Sequence, residues 1–211
     1  RGSKHIIASG ITPRGEFHIG HLREILTGDM ITRACRSAGL DAEFVFIVDS
    51  ADPLRKVYPF LSDEYEQYIG CALATIPAPD ENGKPGNDGR NYAEHFLEPF
   101  LAALAQIDVR PRIIDNYDSY ANGKFAEKSR IACEKAGEIR EIIERVSGRE
   151  LAEKWFPYNP YGHDGSLDGV TVTGFEWPYV YWEQNGVPGK SDLNKADGKL
   201  PWRIDWPAKW G

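Results

Sequence analysis

Apolar and polar positions along the first fifty residues alternate between two textures. His5-Ile6-Ile7-Ala8-Ser9 is a short, mostly apolar run that meets a glycine-bearing turn at Gly10, the pattern of a buried parallel strand. After a Thr12-Pro13-Arg14-Gly15 turn, Leu22, Ile25, Leu26, Met30, Ile31 and Ala34 recur at helical spacing from near Gly20, and Gly39 is a suitable C-terminal stop. Glu43 to Val48 is a second unbroken run that ends on Asp49, with Asp52-Pro53 closing the following loop. Strand, helix and strand in this order predict a βαβ unit.

The same alternation continues. Arg90 to Ile107 carries Tyr92, Phe96, Phe100, Leu101 and Leu104 at helical spacing, and Arg112-Ile113-Ile114-Asp115 reads as a third strand. Between them, Pro77 to Gly89 is rich in Pro, Gly, Asn and Asp, which predicts a mobile surface loop. From Gly123 to Val146, Phe125, Ile131, Ile139, Ile142 and Ile143 interleave with charges, as in one long helix or two broken near Gly137. Beyond Trp155 the texture turns to Tyr, Trp, Thr, Gly and Pro. Val170 to Thr173 and Tyr179 to Trp182 read there as a small β hairpin, and Leu200 to Trp210 as the last ordered stretch.

Composition narrows the class. With 211 residues, 41% hydrophobic and 27% charged, the chain is long enough for an α/β core with a smaller inserted part. No run approaches the ~18 apolar residues of a membrane span and the N-terminus lacks the layout of a signal peptide, so a cytoplasmic protein without membrane contact is expected. Arg1-Gly2-Ser3 has the look of tag remnant and carries no fold meaning. Cys35, Cys71 and Cys133 are odd in number and far apart, as reduced packing residues are. A net charge of -7 argues against a surface that grips nucleic acid throughout, and limits any RNA contact to local patches.

The chemistry concentrates where the first strand hands over to the first helix, in Gly10-Ile11-Thr12-Pro13-Arg14-Gly15-Glu16-Phe17-His18-Ile19-Gly20-His21. Ligands of open parallel sheets bind beyond the carboxyl ends of the strands, where a helix N-terminus offers free N–H groups and a positive dipole end to phosphate. Gly20 permits close approach of a nucleotide, and His18 and His21 can donate hydrogen bonds to phosphoryl oxygens as charge develops. An isolated His-x-Gly-His is equally what a pair of capping or surface histidines looks like. Pro188-Gly189-Lys190-Ser191 is too short a fragment for a P-loop.

The stretch resembles the HIGH motif of class I aminoacyl-tRNA synthetases, and the preceding Ala-Ser-Gly-Ile-Thr-Pro-x-Gly is similar to the longer form in class I lysyl enzymes. The resemblance runs on through Asp49 to Lys56, Tyr68 to Gly70, Arg90 to Phe96, and the specific ending Lys199-Leu200-Pro201-Trp202-Arg203-Ile204-Asp205-Trp206-Pro207-Ala208-Lys209-Trp210. It implies a Rossmann-like parallel sheet over 1–117, an inserted mixed α+β connective subdomain over 118–198, and a return to the core over 199–211. It implies ATP with Mg2+, lysine and tRNA(Lys) as substrates and partners. ATP would lie on Thr12, Pro13, His18, Gly20 and His21, with the two histidines catalytic. Lysine would lie among Gly10, Thr12, Asp49, Asp205 and Trp206. Packing alone also explains Trp202, Trp206 and Trp210; Asp52 before Pro53 reads as a turn residue and Asp115 as a helix cap.

Two departures shape the expectation. No Lys-Met-Ser-Lys-Ser motif follows, so a truncated catalytic domain is expected, without that motif and without the anticodon-binding domain. His163 stands in Tyr161 to Asp168 without the cysteine pairs of archaeal members, so no structural zinc is expected and the bacterial form is implied. Two further readings remain open: a HIGH-type small-molecule adenylyltransferase, which shares the Thr-Pro-x-Gly-x-x-His-x-Gly-His layout, and a non-catalytic fragment that binds RNA or a partner.

Overall fold

In the computed structural model, which describes residues 3–201, 204 and 205, the chain divides into two compact units, Arg1–Asn116 and Tyr117–Gly211. Trp202, Trp206 and Trp210 lie outside the described residues. No described helix is long and apolar enough to cross a membrane.

The first unit is built on three parallel strands, β1 (Lys4–Ile11), β2 (Asp41–Val48) and β3 (Arg112–Asp115), in the order β1-β2-β3. Helix α1 (Ile19–Ser37) joins the first two strands, and α2 (Tyr92–Gln106) precedes the third. This is the order of one half of a doubly wound sheet. Only β2 is buried almost throughout, because it alone has a neighbour on both sides. The expectation of a buried first strand is therefore corrected: β1 is an edge of this sheet, and its first three residues are exposed. Glu43 ties the strands together at their starts, accepting from Lys4 Nζ and Arg112 Nε at 2.8 Å each. These two cations hold its carboxyl down at about 2.

Helix α1 buries Ile25, Gly28 and Thr32 and leaves Met30 and Ile31 exposed, so its buried face is narrower than its apolar letters suggest. A Cβ at Gly28 would overlap the Phe44 ring, so glycine there lets the helix lie close on β2. Ile11, Ile25, Phe44, Phe46, Val48, Phe100 and Leu104 form the core beside the sheet. A second cluster, including Leu54, Tyr65, Leu73, Ile76, Tyr92 and Phe96, organises the excursion between β2 and α2, which contains a 3-10 turn over Asp63–Tyr68. The 77–89 loop, expected to be mobile, is closed by its own bonds. Asp80 Oδ1 accepts from the Asn82 and Lys84 amides at 2.8 Å, and Ser62 N donates to Gly83 O at 2.8 Å.

The second unit carries three short helices, α3 (Asn116–Ala121), α4 (Ala126–Glu134) and α5 (Ala136–Ser147), the first beginning at the boundary residue Asn116. The last two meet at Lys135 rather than at Gly137. Strand β4 (Asn159–Pro160) follows. The expected hairpin is a three-stranded antiparallel sheet of β5 (Val170–Glu176), β6 (Tyr179–Gln184) and β7 (Val187–Asp192). Pro188-Gly189-Lys190-Ser191 is part of its edge strand β7. Strand β8 (Gly198–Lys199) pairs with β4. Tyr158, Val180, Leu193, Leu200 and Ile204 share one core with Cys133, whose thiol burial pushes up to about 12. The described residues of the expected return segment, Leu200 and Ile204 among them, thus pack inside this unit. Cys71 and Cys133 are buried and all three cysteines are free, as packing residues are.

Candidate active site

Strand β1 ends at Ile11, and seven residues later the chain enters α1 through a reciprocal cap. His18 is the N-cap with an extended backbone; its Nδ1 accepts from Gly20 N at 3.0 Å, and His21 Nδ1 accepts in return from His18 N at 3.1 Å. Two imidazoles thus do what a Ser and a Glu do in the usual capping box. The two readings of these residues, capping and chemistry, are compatible because each uses a different ring atom. With Nδ1 accepting, the proton of each neutral ring resides on Nε2, which remains a donor. The rings lie 3.9 Å apart, and the His21 ring is 5.1 Å from Phe17. Burial, with the neighbouring His18, lowers the pKa of His21 against an opposing pull from Glu24, which keeps its ring neutral near pH 7. No acidic residue stands in the first turn of α1, so its dipole end is uncompensated.

Both histidines line a cavity of about 570 Å³, together with Arg14, Gly15, Glu16, Tyr58, Phe60, Asp80, Glu81 and His95. His95 also lines an adjoining cavity of about 310 Å³ beside Phe17 and Phe100. Its Nδ1 is buried with no hydrogen-bond partner, and burial, with Arg90, lowers its pKa against Asp88 and Glu98. Neutral donors, aromatic walls and carboxylates around one space of this size suit a nucleotide-sized ligand.

The remaining residues singled out in the sequence fall as follows. Gly10 pairs with Ile47 near the end of β1, and Thr12 and the buried Pro13 follow directly. Thr12 Oγ1 donates to Asp52 Oδ2 at 2.9 Å, which leaves its oxygen free to accept. Asp49 lies just past the end of β2, 9% exposed, and accepts from Asn116 Nδ2 in a short contact. Asp115 accepts from the Ser50 hydroxyl at 2.6 Å. Asp205 belongs to the second unit. It is 2% exposed and accepts from Tyr120 Oη at 2.7 Å, while Leu200 N donates to that same hydroxyl at 2.9 Å. Burial, with the Asp205 carboxylate, raises the Tyr120 pKa, so the phenol stays a donor. Trp206 lies outside the described residues.

Sequence reasoning missed Asn116, His95 and Tyr120 as partners and read Asp52 as a turn residue. Asp52 does turn the chain, its N donating to Asp49 O at 3.1 Å, but it also receives Arg14 and Thr12. The only sequence signal for that was the presence of a cation in the Thr-Pro-Arg-Gly turn. His163 N donates to Gln184 Oε1 at 2.9 Å, and Gln184 Nε2 donates to Asp164 Oδ1 and Asp168 O at 3.0 Å each, so an amide closes this loop. Among the described residues no group of three or more His, Cys, Asp or Glu is placed to hold a metal ion.

A family model described as tRNA synthetases class I (K) matches residues 1–211. A protein named lysine–tRNA ligase from Picrophilus torridus is 41% identical over 206 residues, covering 97% of this chain and 40% of its own length. Its namesake from Thermoplasma acidophilum is 40% identical, with 97% and 39% covered. Another, from Archaeoglobus fulgidus, is 41% identical over 212 residues, with 100% and 42% covered. The chain spans about 40% of the length of these curated relatives.

Proposed function

Because the chain belongs to the class I (K) family of tRNA synthetases, we propose that it forms the ATP-side part of an aminoacyl-tRNA ligase that activates lysine and charges tRNA(Lys). The lysine carboxylate attacks the α-phosphorus of Mg2+-ATP in line, the bond to the bridging oxygen breaks, and pyrophosphate leaves. A hydroxyl of the 3′-terminal ribose of the tRNA then attacks the adenylate carbonyl, the acyl–phosphate bond breaks, and AMP leaves. Such chemistry needs reactants held in line and charge neutralised, with no covalent enzyme intermediate. The observation that carries this reading is the double-histidine cap, which leaves two Nε2 donors and a free helix dipole end at the mouth of β1.

In this proposal His18 and His21 are catalytic, and Thr12, Pro13 and Gly20 complete the ATP site. Thr12 receives a lysine ammonium on its free lone pairs beside Gly10 and Asp49; Asp205 and Trp206 are assigned to lysine by the sequence resemblance alone. Residues 1–117 are the first half of the Rossmann core, 118–198 its connective insertion and 199–211 the return to the core, in a protein acting in the cytoplasm. The named relatives are archaeal-type. A zinc-free form, inferred to be the bacterial one, stands as part of the proposal and is supported by the amide that closes the His163 loop. The small-molecule adenylyltransferase reading shares the helix start, but the family match along the whole chain does not favour it.

Lysine-dependent exchange of labelled pyrophosphate into ATP tests the proposal in the intact protein. Exchange is expected in the wild type and its collapse in His21→Ala; exchange retained in that variant refutes the role of this helix start.

A further inference from the structure

Resting on that reading of the site, we propose that Asp52 is the positioning residue of the loop that delivers the two histidines, acting through Arg14 and Thr12. A single oxygen, Asp52 Oδ2, receives the Thr12 hydroxyl at 2.9 Å and Arg14 Nη2 at 2.7 Å. The anchor is itself fixed: the Asp52 residue is 9% exposed, its amide donates to Asp49 O, and its carbonyl accepts from Leu73 N at 3.0 Å. The loop after β2 is thereby tied to the loop after β1. The tie closes on both sides of Pro13, four residues ahead of the His18 cap.

Other contacts leave the Asp52 tie as the adjustable one. Arg14 O accepts from Tyr92 Oη at 2.8 Å, and Gly15 lies against Phe60, where an added Cβ would stand 3.1 Å from the ring. Tyr92 of α2 grips the loop at a backbone oxygen, and Phe60, in the excursion after β2, touches it only through ring carbons. Asp52 alone among the described contacts grips the two side chains, and it does so with charge. Arg14 lines the same cavity as His18 and His21, while its Nε is buried without a hydrogen-bond partner. An unsatisfied guanidinium donor is unfavourable for folding alone, and its retention beside the cavity points to a role in the site.

The consequence is a charge-assisted latch that sets the path from Thr12 to His18, and so the direction of the two Nε2 donors. A displacement of an ångström in such donors costs on the order of 100-fold in rate. Asp52→Ala and Arg14→Ala in the intact protein are expected to lower kcat for lysine-dependent pyrophosphate exchange on the order of 10- to 100-fold; KM for lysine should stay within about threefold in Arg14→Ala and rise further in Asp52→Ala, which also releases Thr12. Measured well below each variant's melting temperature, the double variant should be no worse than the poorer single variant by more than about threefold, since both break one latch. Arg14→Lys, which keeps the charge, should recover most of the loss. Exchange by Asp52→Ala within about twofold of wild type overturns the proposal, as do losses that multiply in the double variant. A loss that Arg14→Lys does not relieve, accompanied by a matching fall in melting temperature, assigns the pair to stability alone and also overturns it. Retained exchange in His21→Ala is a different failure. It removes the reading of the helix start, whatever the Asp52 variants do.

Discussion

Replacing both histidines of the cap by an ordinary capping box separates what they do for the helix from what they do for the reaction. In His18→Asn/His21→Gln the asparagine is a favoured N-cap and the glutamine can reach back to the residue 18 amide, so both bonds of the box survive. The outward N–H groups of the two carboxamides are on non-aromatic, more flexible stems, displaced from the place where the rigid imidazole holds Nε2. The Ala/Ala variant loses the box as well. A cap substitution of that kind costs about 1 kcal/mol, with a range of roughly 0.5–2. In a unit of this size, Arg1–Asn116, 1 kcal/mol lowers the melting temperature by about 4 °C. The Asn/Gln variant should therefore melt within a degree or two of the wild type, and the Ala/Ala variant about 4 °C lower, within a range of roughly 2–8 °C. Each donor lost from a developing anion costs roughly 100- to 1000-fold in rate, so both variants should fall below about 1% of wild-type pyrophosphate exchange. Thermal melts followed by circular dichroism, with exchange assayed on the same preparations, decide it. If Asn/Gln keeps more than about a tenth of the exchange, the histidines are caps and the catalytic assignment is wrong.

Two further outcomes follow from ionisation. The folded-state pKa of His21 is lowered, so it contributes stability that is present above the ordinary histidine pKa and lost as pH falls through the folded value. The protection factor of the residue 18 amide, which donates to the His21 ring, should drop on acidification below about pH 6.5, well before global unfolding; protection that stays unchanged through the range where NMR titration shows the His21 ring to protonate would refute the cap linkage. Glu43 is the carboxylate case: its pKa is held at about 2 against an ordinary 4.5, so its contribution is full above 4.5 and disappears as pH falls toward 2. Melting temperatures of wild type and Glu43→Gln should differ at pH 6 and converge near pH 2; a constant difference across that range would show that the Lys4–Glu43–Arg112 clip is not what the variant removes.

Where local pattern and tertiary packing agree, the letters suffice. Helices α1 and α2 and strands β2 and β3 begin and end close to the expected places, since each has a periodic apolar face and a stop residue such as Gly39. Strand β7 was missed because Val-Pro-Gly-Lys-Ser-Asp has poor strand propensity. It is held as an edge by pairing with β6 and by Trp182, whose Nε1 donates to Ser191 Oγ at 2.9 Å. The 77–89 loop misled for a related reason. Its turn residues were read as freedom, whereas Asp80 uses them to close the loop. The α4–α5 break falls at Lys135, one residue before the next helix starts, and Gly137 lies within α5. In the site, the motif positions were legible because strand, turn and helix start follow one another in sequence. Partners across space were not: Asn116 is 67 residues from Asp49, and Tyr120 is 85 from Asp205.

A cap made of two imidazoles is an unusual solution if stability is all that is required. Serine or aspartate at residue 18 and glutamate at 21 would satisfy the same two amides, and a glutamate would add a favourable charge at the positive end of the helix. Either carboxylate would turn anionic oxygens toward an incoming phosphate and repel it. Imidazole accepts a backbone N–H through one ring atom and donates outward through another while carrying no charge, and unlike a carboxamide it fixes that donor on the far side of a rigid ring. The cap also selects the tautomer: a proton on Nδ1 would break the bond to Gly20 or to His18, so the donor is held on Nε2 before any ligand arrives. Full protonation would supply the same donor only by giving up the cap, and the lowered pKa of His21 opposes it. The helix end therefore keeps its dipole for the ligand and offers neutral donors beside it. That combination stabilises charge as it develops on a phosphoryl group, with little reorganisation left to the moment of reaction.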